Sequence, residues 1–160
     1  MNILVFNLLL AATCCHAIAR GGAPERLVAA AFFAAAMATF FLPYRLGVTF
    51  QSIEPVYLAI DLLLFAGLTV VAALADRFWP IWLAAMQLVI IVVHAAKAYD
   101  PSILAFVYYG VTAKIAYPML IILVIGTLRH RLRLERFGHD LPWSKDAAHA
   151  DERASPGRGA

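Results

Sequence analysis

Charge is scarce in this sequence. Of its 160 residues, 14% are Asp, Glu, Lys or Arg and 63% are hydrophobic, and the mean hydropathy is +0.79. An average soluble domain carries about a quarter charged residues and about half apolar ones. The shortage of charge excludes an ordinary water-soluble domain, because a chain of this length cannot bury so much apolar surface.

Residues that typically build active sites are also missing or badly placed. Cys14 and Cys15 are sequence neighbours, so they form no disulfide framework, and we interpret them as small apolar side chains. Together with His16 they point around a helix rather than toward one zinc ion. All four serines lie outside or at the edges of the apolar runs, and no glycine-rich phosphate loop is visible. We therefore expect no catalytic residue, no cofactor and no metal site.

Long apolar runs are what the sequence does contain. A helix crosses about 30 Å of hydrocarbon at about 1.5 Å per residue, so runs of about 18 apolar residues are typical of membrane spans. The runs lack the alternating polarity of β-barrel strands. The sequence predicts an all-α integral membrane bundle of five transmembrane helices, at about residues 2–19, 26–43, 53–75, 79–98 and 102–128.

Positive charge predicts the orientation of these helices. Basic residues favour the cytoplasmic side, and the densest cluster, Arg129, Arg131, Arg133 and Arg136, follows the fifth run. Counting back through five spans places the N-terminus outside and the C-terminus inside. The alternative, a secretory signal cleaved near "HAIAR", would leave the arginines outside. We therefore predict a multi-pass membrane protein with a cytoplasmic C-terminus.

The basic cluster and the tail beyond it have separate interpretations. Residues 129–136 are expected to continue the fifth helix as a cytoplasmic stub of a transmembrane domain that covers residues 1–136. Arginines just beyond a span attract anionic lipid by about 1 kcal/mol per charge, so the four arginines are expected to contact anionic lipid and not nucleic acid. Residues 137–160 are polar and lack periodicity, which predicts a disordered cytoplasmic tail.

Four polar residues interrupt the apolar runs and are the candidates for a site: Asp61, Gln87, His94 and Lys114. An ionisable group in hydrocarbon costs at least about 2.5 to 3.5 kcal/mol, so such groups usually face the bundle interior and pair with one another. Asp61 lies about 5 Å outward of the middle of its span, and Lys114 lies at the middle of its own. We therefore predict an ion pair between Asp61 and Lys114 that fixes helix five against helix three.

Gln87 and His94 are seven residues apart, about two helical turns, and so share one face of the fourth span. With Asp61, Lys114 and Glu54 they outline a polar track through the outer half of the bundle. The simplest interpretation is a set of interhelical hydrogen bonds, each worth about 0.6 kcal/mol. A proton or solute pathway is the first alternative. A lipid-modifying enzyme with His94 and Asp61 as an acid and base pair is the second.

Small residues on the second span predict close helix packing. Ala30, Ala34 and Ala38 recur every four residues, a spacing that lets a neighbouring backbone approach. We expect this packing inside the bundle, and the alternative is a seam between two copies in a homodimer.

Several segments together resemble a family of small, uncharacterised bacterial inner-membrane proteins. They are "RGGAPE", "DRFWP", "HAAKAYDP" and "YPM" followed by "GTLRHR" and "LPW". The resemblance covers residues 20–143 and implies a shared multi-helix fold. Because no activity is established for that family, the resemblance implies no functional residue.

The loops are too short to form a soluble domain, and besides the lipid-modifying enzyme two functional hypotheses remain. The first is a non-enzymatic accessory or structural membrane component, as a homodimer or within a larger membrane complex. The second is a small proton-coupled transporter or channel-like unit in which Asp61, Lys114 and His94 form a relay. Since five helices enclose a pathway poorly and the sequence has no internal repeat, the second hypothesis requires a homodimer.

Overall fold

Five long helices make up the regular structure of the part of the chain that is described. The computed structural model describes residues 3–45, 53–75, 77–100 and 105–137. The helices are α1 (Ile3–Arg20), α2 (Ala23–Arg45), α3 (Ile53–Leu74), α4 (Trp79–Tyr99) and α5 (Ala105–Phe137). Each is long and apolar enough to cross a membrane, which confirms the prediction of an all-α chain with five such helices. The predicted disordered tail from residue 138 onward and the side chain of Glu54 lie outside the described residues.

The helices form a closed ring. Each one packs against the next in the chain, α5 returns to pack against α1, and α2 and α5 also touch across the ring. Successive helices run in opposite directions, so one end of the bundle carries residues 20–26, 75, 77–79 and 126–137. We call this the basic end, because Arg20, Arg26 and Arg77 lie there with the arginines of α5.

Glycine makes the tight turn between α1 and α2 possible. The Gly21 N–H donates a hydrogen bond of 2.8 Å to the carbonyl of Ala17. A Cβ atom on Gly21 would lie only 2.5 Å from that oxygen and 2.6 Å from Cβ of Glu25, so another residue would have to distort this turn. The next residue, Gly22, caps α2: its N–H donates to Glu25 Oε2 at 3.1 Å, and its carbonyl accepts from the Arg26 N–H. This is the glutamate half of a capping box.

The most deeply buried side chains lie toward the basic end. Cys14 and Ala17 come from the last turns of α1, Val28 from the second turn of α2, and Leu83 and Leu123 from the matching parts of α4 and α5; all five are fully buried. The core is therefore tightest where the short turns hold the helices together.

Gly126 fixes the register of α4 against α5. A Cβ atom at this position would lie 3.0 Å from Cε2 of Trp79. The indole ring at the start of α4 thus rests on bare backbone near the basic end of α5. A side chain at position 126 would push α4 and α5 apart.

On α2, the prediction that the spaced alanines pack inside the bundle is wrong for two of the three. Ala30 and Ala34 are exposed, whereas Val28, Ala29 and Phe32 are buried. A four-residue spacing places residues on one face but does not say which way that face points. The alternative of a homodimer seam stays a prediction.

Candidate polar site between α3 and α4

Asp61 of α3 meets two polar side chains of α4. Its Oδ2 lies 2.8 Å from Nε2 of His94. Its Oδ1 accepts a hydrogen bond of 2.8 Å from Nε2 of Gln87, which also approaches the Asp61 carbonyl at 3.3 Å. We call these three residues the polar site.

The helical period of α4 positions its two members. Leu83, Gln87, Ile90 and His94 are all buried, and their spacing of three or four residues forms a single stripe toward the bundle. The prediction that Gln87 and His94 share a face is therefore confirmed. Gln87 is 1% exposed, and the side chains of His94 and Asp61 are 7% and 23% exposed.

The arrangement supports two kinds of chemistry. A carboxylate oxygen at 2.8 Å from an imidazole nitrogen shares a proton with it, so Asp61 and His94 can hold or pass one proton. The Gln87 amide is a donor to a carboxylate but does not titrate, so it orients Asp61. The same bonds also join α3 to α4 without leaving these donors unsatisfied.

Lys114 does not belong to this site, and the predicted ion pair between Asp61 and Lys114 is wrong. Both carboxylate oxygens of Asp61 bind α4, and α3 and α5 are not packed neighbours in the ring. Lys114 is exposed, on the face of α5 opposite the buried Met119 and Leu123. The prediction paired the two charges by their depth alone, and depth gives no information about direction around a helix.

The structure also brings together two titratable residues that sequence reasoning missed. Glu25 and His130 are 1% and 7% exposed. Glu25 Oε2 and His130 Nδ1 each lie 3.1 Å from the position that a Cβ of Gly22 would occupy. The available signals were the capping pattern in "GAPE" and the continuation of the buried stripe of Leu123 and Thr127 to His130.

The four arginines proposed to contact anionic lipid all lie at the basic end but differ in surroundings. Arg129 and Arg136 are exposed. Arg131 faces Glu135 one turn further along α5, with 3.6 Å between Nη2 and Oε1. Contact of these residues with lipid stays a prediction.

Among the described residues, no three His, Cys, Asp or Glu side chains lie close enough to hold a metal ion. Comparison with protein-family models, with characterised proteins and with solved structures gives no match for this chain. The family resemblance noted from the sequence stays a prediction.

Proposed function

We propose that this chain is a non-enzymatic, multi-pass protein of a bacterial inner membrane and an accessory component of a larger membrane complex. In this proposal α5 binds a membrane helix of another protein, and that helix carries an Asp or Glu. The observation that supports it is Lys114, a cation on the outward face of α5 near the middle of the bundle.

The direction of Lys114 follows from the helical period. Ile121, Ile125 and Leu132 lie 7, 11 and 18 residues further along, on the same face as Lys114. All three are exposed, whereas the opposite face is buried. Among the described residues no ion pair involves Lys114. From Lys114 to Ile125 the described residues of this face thus form an apolar stripe with one positive charge, that of Lys114.

The depth of Lys114 follows from the contact between Trp79 and Gly126, which aligns α4 with α5. Lys114 is 12 residues from Gly126, about 18 Å along the helix, and α4 as a whole is about 30 Å long. The backbone of Lys114 therefore lies roughly 12 Å from the level of the far end of α4. A lysine side chain reaches about 6 Å. Even when Lys114 extends toward the far end of α4, its ammonium group therefore does not reach the level of that end.

Charge complementarity decides between possible occupants of this face. A charge facing hydrocarbon at this depth costs at least about 2.5 to 3.5 kcal/mol, and a carboxylate on a neighbouring helix offsets that cost. A second copy of this chain, bound symmetrically through the same face, would bring two ammonium groups together. Asp61 cannot supply the carboxylate that pairs with Lys114, because both of its oxygens already bind His94 and Gln87. A different protein with an intramembrane carboxylate fits the face best.

Photo-crosslinking in bacterial cells tests the proposal. A crosslinking amino acid at Ile121 should capture one membrane protein, whereas one at Leu63 of α3, which is also exposed, should capture only lipid. Lys114→Glu should abolish the Ile121 product, and a carboxylate to Lys exchange in the captured protein should restore it. Equal products at Ile121 and Leu63, or a product that survives Lys114→Glu, would refute the proposal and leave Lys114 as a lipid contact.

A second candidate function is a proton-coupled unit, and the 2.8 Å contact of Asp61 with His94 favours it. Lys114 faces away from that pair, so the relay reduces to two residues. Purified protein in liposomes should then pass protons down an imposed gradient, and Asp61→Asn should stop the flux. Absence of flux in the unaltered protein removes this candidate.

A further inference from the structure

The turn between α1 and α2 and the last turns of α5 line an open surface cavity of about 450 Å³ at the basic end. We call it the basic-end cavity. Its charged lining consists of Arg20, Arg26, His130, Arg131 and Glu135, and Leu134 supplies apolar wall. These residues come from α1, α2 and α5, so the cavity exists only when the three helices are assembled.

Positive charge dominates the lining. Three guanidinium groups line the cavity with one carboxylate, that of Glu135, whereas the carboxylate of Glu25 accepts from the Gly22 N–H, is buried and does not line it. Glu135 is 63% exposed and lies 3.6 Å from Arg131, a loose contact of a kind that contributes little to stability. Arg131 can therefore turn to a ligand without the loss of a strong bond.

One side of the cavity is rigid. His130 is 7% exposed, and a Cβ on Gly22 would lie 2.8 Å from its Cε1. The imidazole is thus held against the turn, where the absence of a side chain on Gly22 makes room for it. The hydrogen bond from the Gly22 N–H to Glu25 fixes the same turn.

The chemistry of the lining selects an oxyanion. Guanidinium groups donate paired hydrogen bonds that match the oxygens of phosphate. Leu128 is three residues before Arg131 on the same ridge of α5 and is exposed, so an apolar surface continues from the cavity along the bundle. A ligand with a phosphate and an attached apolar chain satisfies both features.

We propose that the basic-end cavity binds the phosphate group of an anionic membrane phospholipid, one molecule per chain. Basic pockets between helices at a membrane surface bind such headgroups. This site differs from diffuse attraction by the arginines of α5, because only Arg131 of those four lines it. It rests on the proposed membrane location and is independent of the proposed partner helix.

The test uses the purified full chain without any partner, in nanodiscs of phosphatidylglycerol and phosphatidylcholine. Native mass spectrometry should find one phosphatidylglycerol retained per chain. The Arg20→Gln/Arg26→Gln variant should bind it about a hundredfold more weakly, at about tenfold for each guanidinium. The matched control is Arg129→Gln/Arg136→Gln, which removes equal charge from the same end but outside the cavity. It should change binding far less, because these two side chains do not line the cavity, and charges that lie away from the ligand in water are screened by salt.

Thermal melting without phosphatidylglycerol checks that the variants fold. The single changes Arg131→Gln and Arg136→Gln form a second matched pair should the double variant be unfolded. Equal loss of phosphatidylglycerol binding in the cavity and control variants would show that the basic end attracts the lipid diffusely and does not bind it at one site. Inorganic phosphate that displaces the lipid at equal concentration would make the ligand a soluble phosphate. Either result overturns the proposal.

Discussion

The carboxylate of Asp61 on α3 and the imidazole of His94 on α4 meet at 2.8 Å, and Gln87 binds the second oxygen of the same carboxylate. One acidic side chain therefore satisfies two buried donors of the neighbouring helix. Removal of the acid leaves both donors without that acceptor, whereas removal of either donor leaves the other bond in place. The consequences for stability should be correspondingly unequal.

Asp61→Ala should lower the free energy of unfolding by about 1 to 3 kcal/mol, because the buried Gln87 amide and the His94 ring lose their shared acceptor. Reversible unfolding in mixed micelles measures the change. Thr69→Ala is a matched control on the same helix, since Thr69 is exposed and bonds only to the Phe65 carbonyl in its own helix. Equal stability of the two variants would show that the polar site does not hold α3 to α4.

Gly126→Val should destabilise the bundle by about 1 to 3 kcal/mol through overpacking. Its Cβ would begin 3.0 Å from the Trp79 ring, which has to move away from α5. Gly67→Val introduces the same side chain in α3, where a Cβ has no neighbour within 4 Å. Thermal melting in detergent, with tryptophan fluorescence as the signal, compares the two. A drop as large for Gly67→Val would indicate a general cost of valine in these helices.

The number of long apolar helices could be predicted because it depends on local sequence. Apolar runs long enough for five spans are visible without knowledge of neighbours, and the spacing of Gln87 and His94 gives their common face. Once one of them faces α3, helical geometry requires the other to do so. Their alignment needs no information from another helix.

The partner of Asp61 could not be predicted in the same way. Depth along a span follows from residue number, and on that measure Asp61 and Lys114 match. Which helices touch depends on the order of the ring, where α4 lies between α3 and α5. Direction around α5 depends on which stripe is buried, and Lys114 lies opposite Leu123. Neither the order of the helices nor the buried stripe of α5 can be inferred from the residues next to Asp61 and Lys114.

The orientation predicted from positive charge has a direct test. An odd number of spans puts the two ends of the chain on opposite sides, and the arginines of α5 favour a cytoplasmic C-terminus. Alkaline phosphatase, which is active only outside the cytoplasm, should be active when fused after Asp100 and inactive when fused after Phe137. A fluorescent protein that folds only in the cytoplasm should be fluorescent when fused after Phe137 and dark when fused after Asp100. Activity of the phosphatase at Phe137 would reverse the orientation and place the basic end outside.

Double-mutant cycles separate the bond that the structure contains from the one that depth alone suggested. Asp61→Ala combined with His94→Ala should show a coupling energy of about 0.6 to 1.7 kcal/mol, the range for hydrogen bonds between membrane helices. Asp61→Asn combined with Lys114→Met should be additive within about 0.3 to 0.5 kcal/mol, because those residues share no contact.

The same mixed-micelle unfolding gives both cycles, and Asp61 serves as the common member. Partial rescue of Asp61→Asn by Lys114→Met would mean that the two charges do meet in the folded protein. In that case α5 would have to turn its lysine inward, and the outward face proposed to bind a partner helix would lose its charge. Additivity in that cycle with coupling in the other leaves Lys114 available for an acidic group outside this chain.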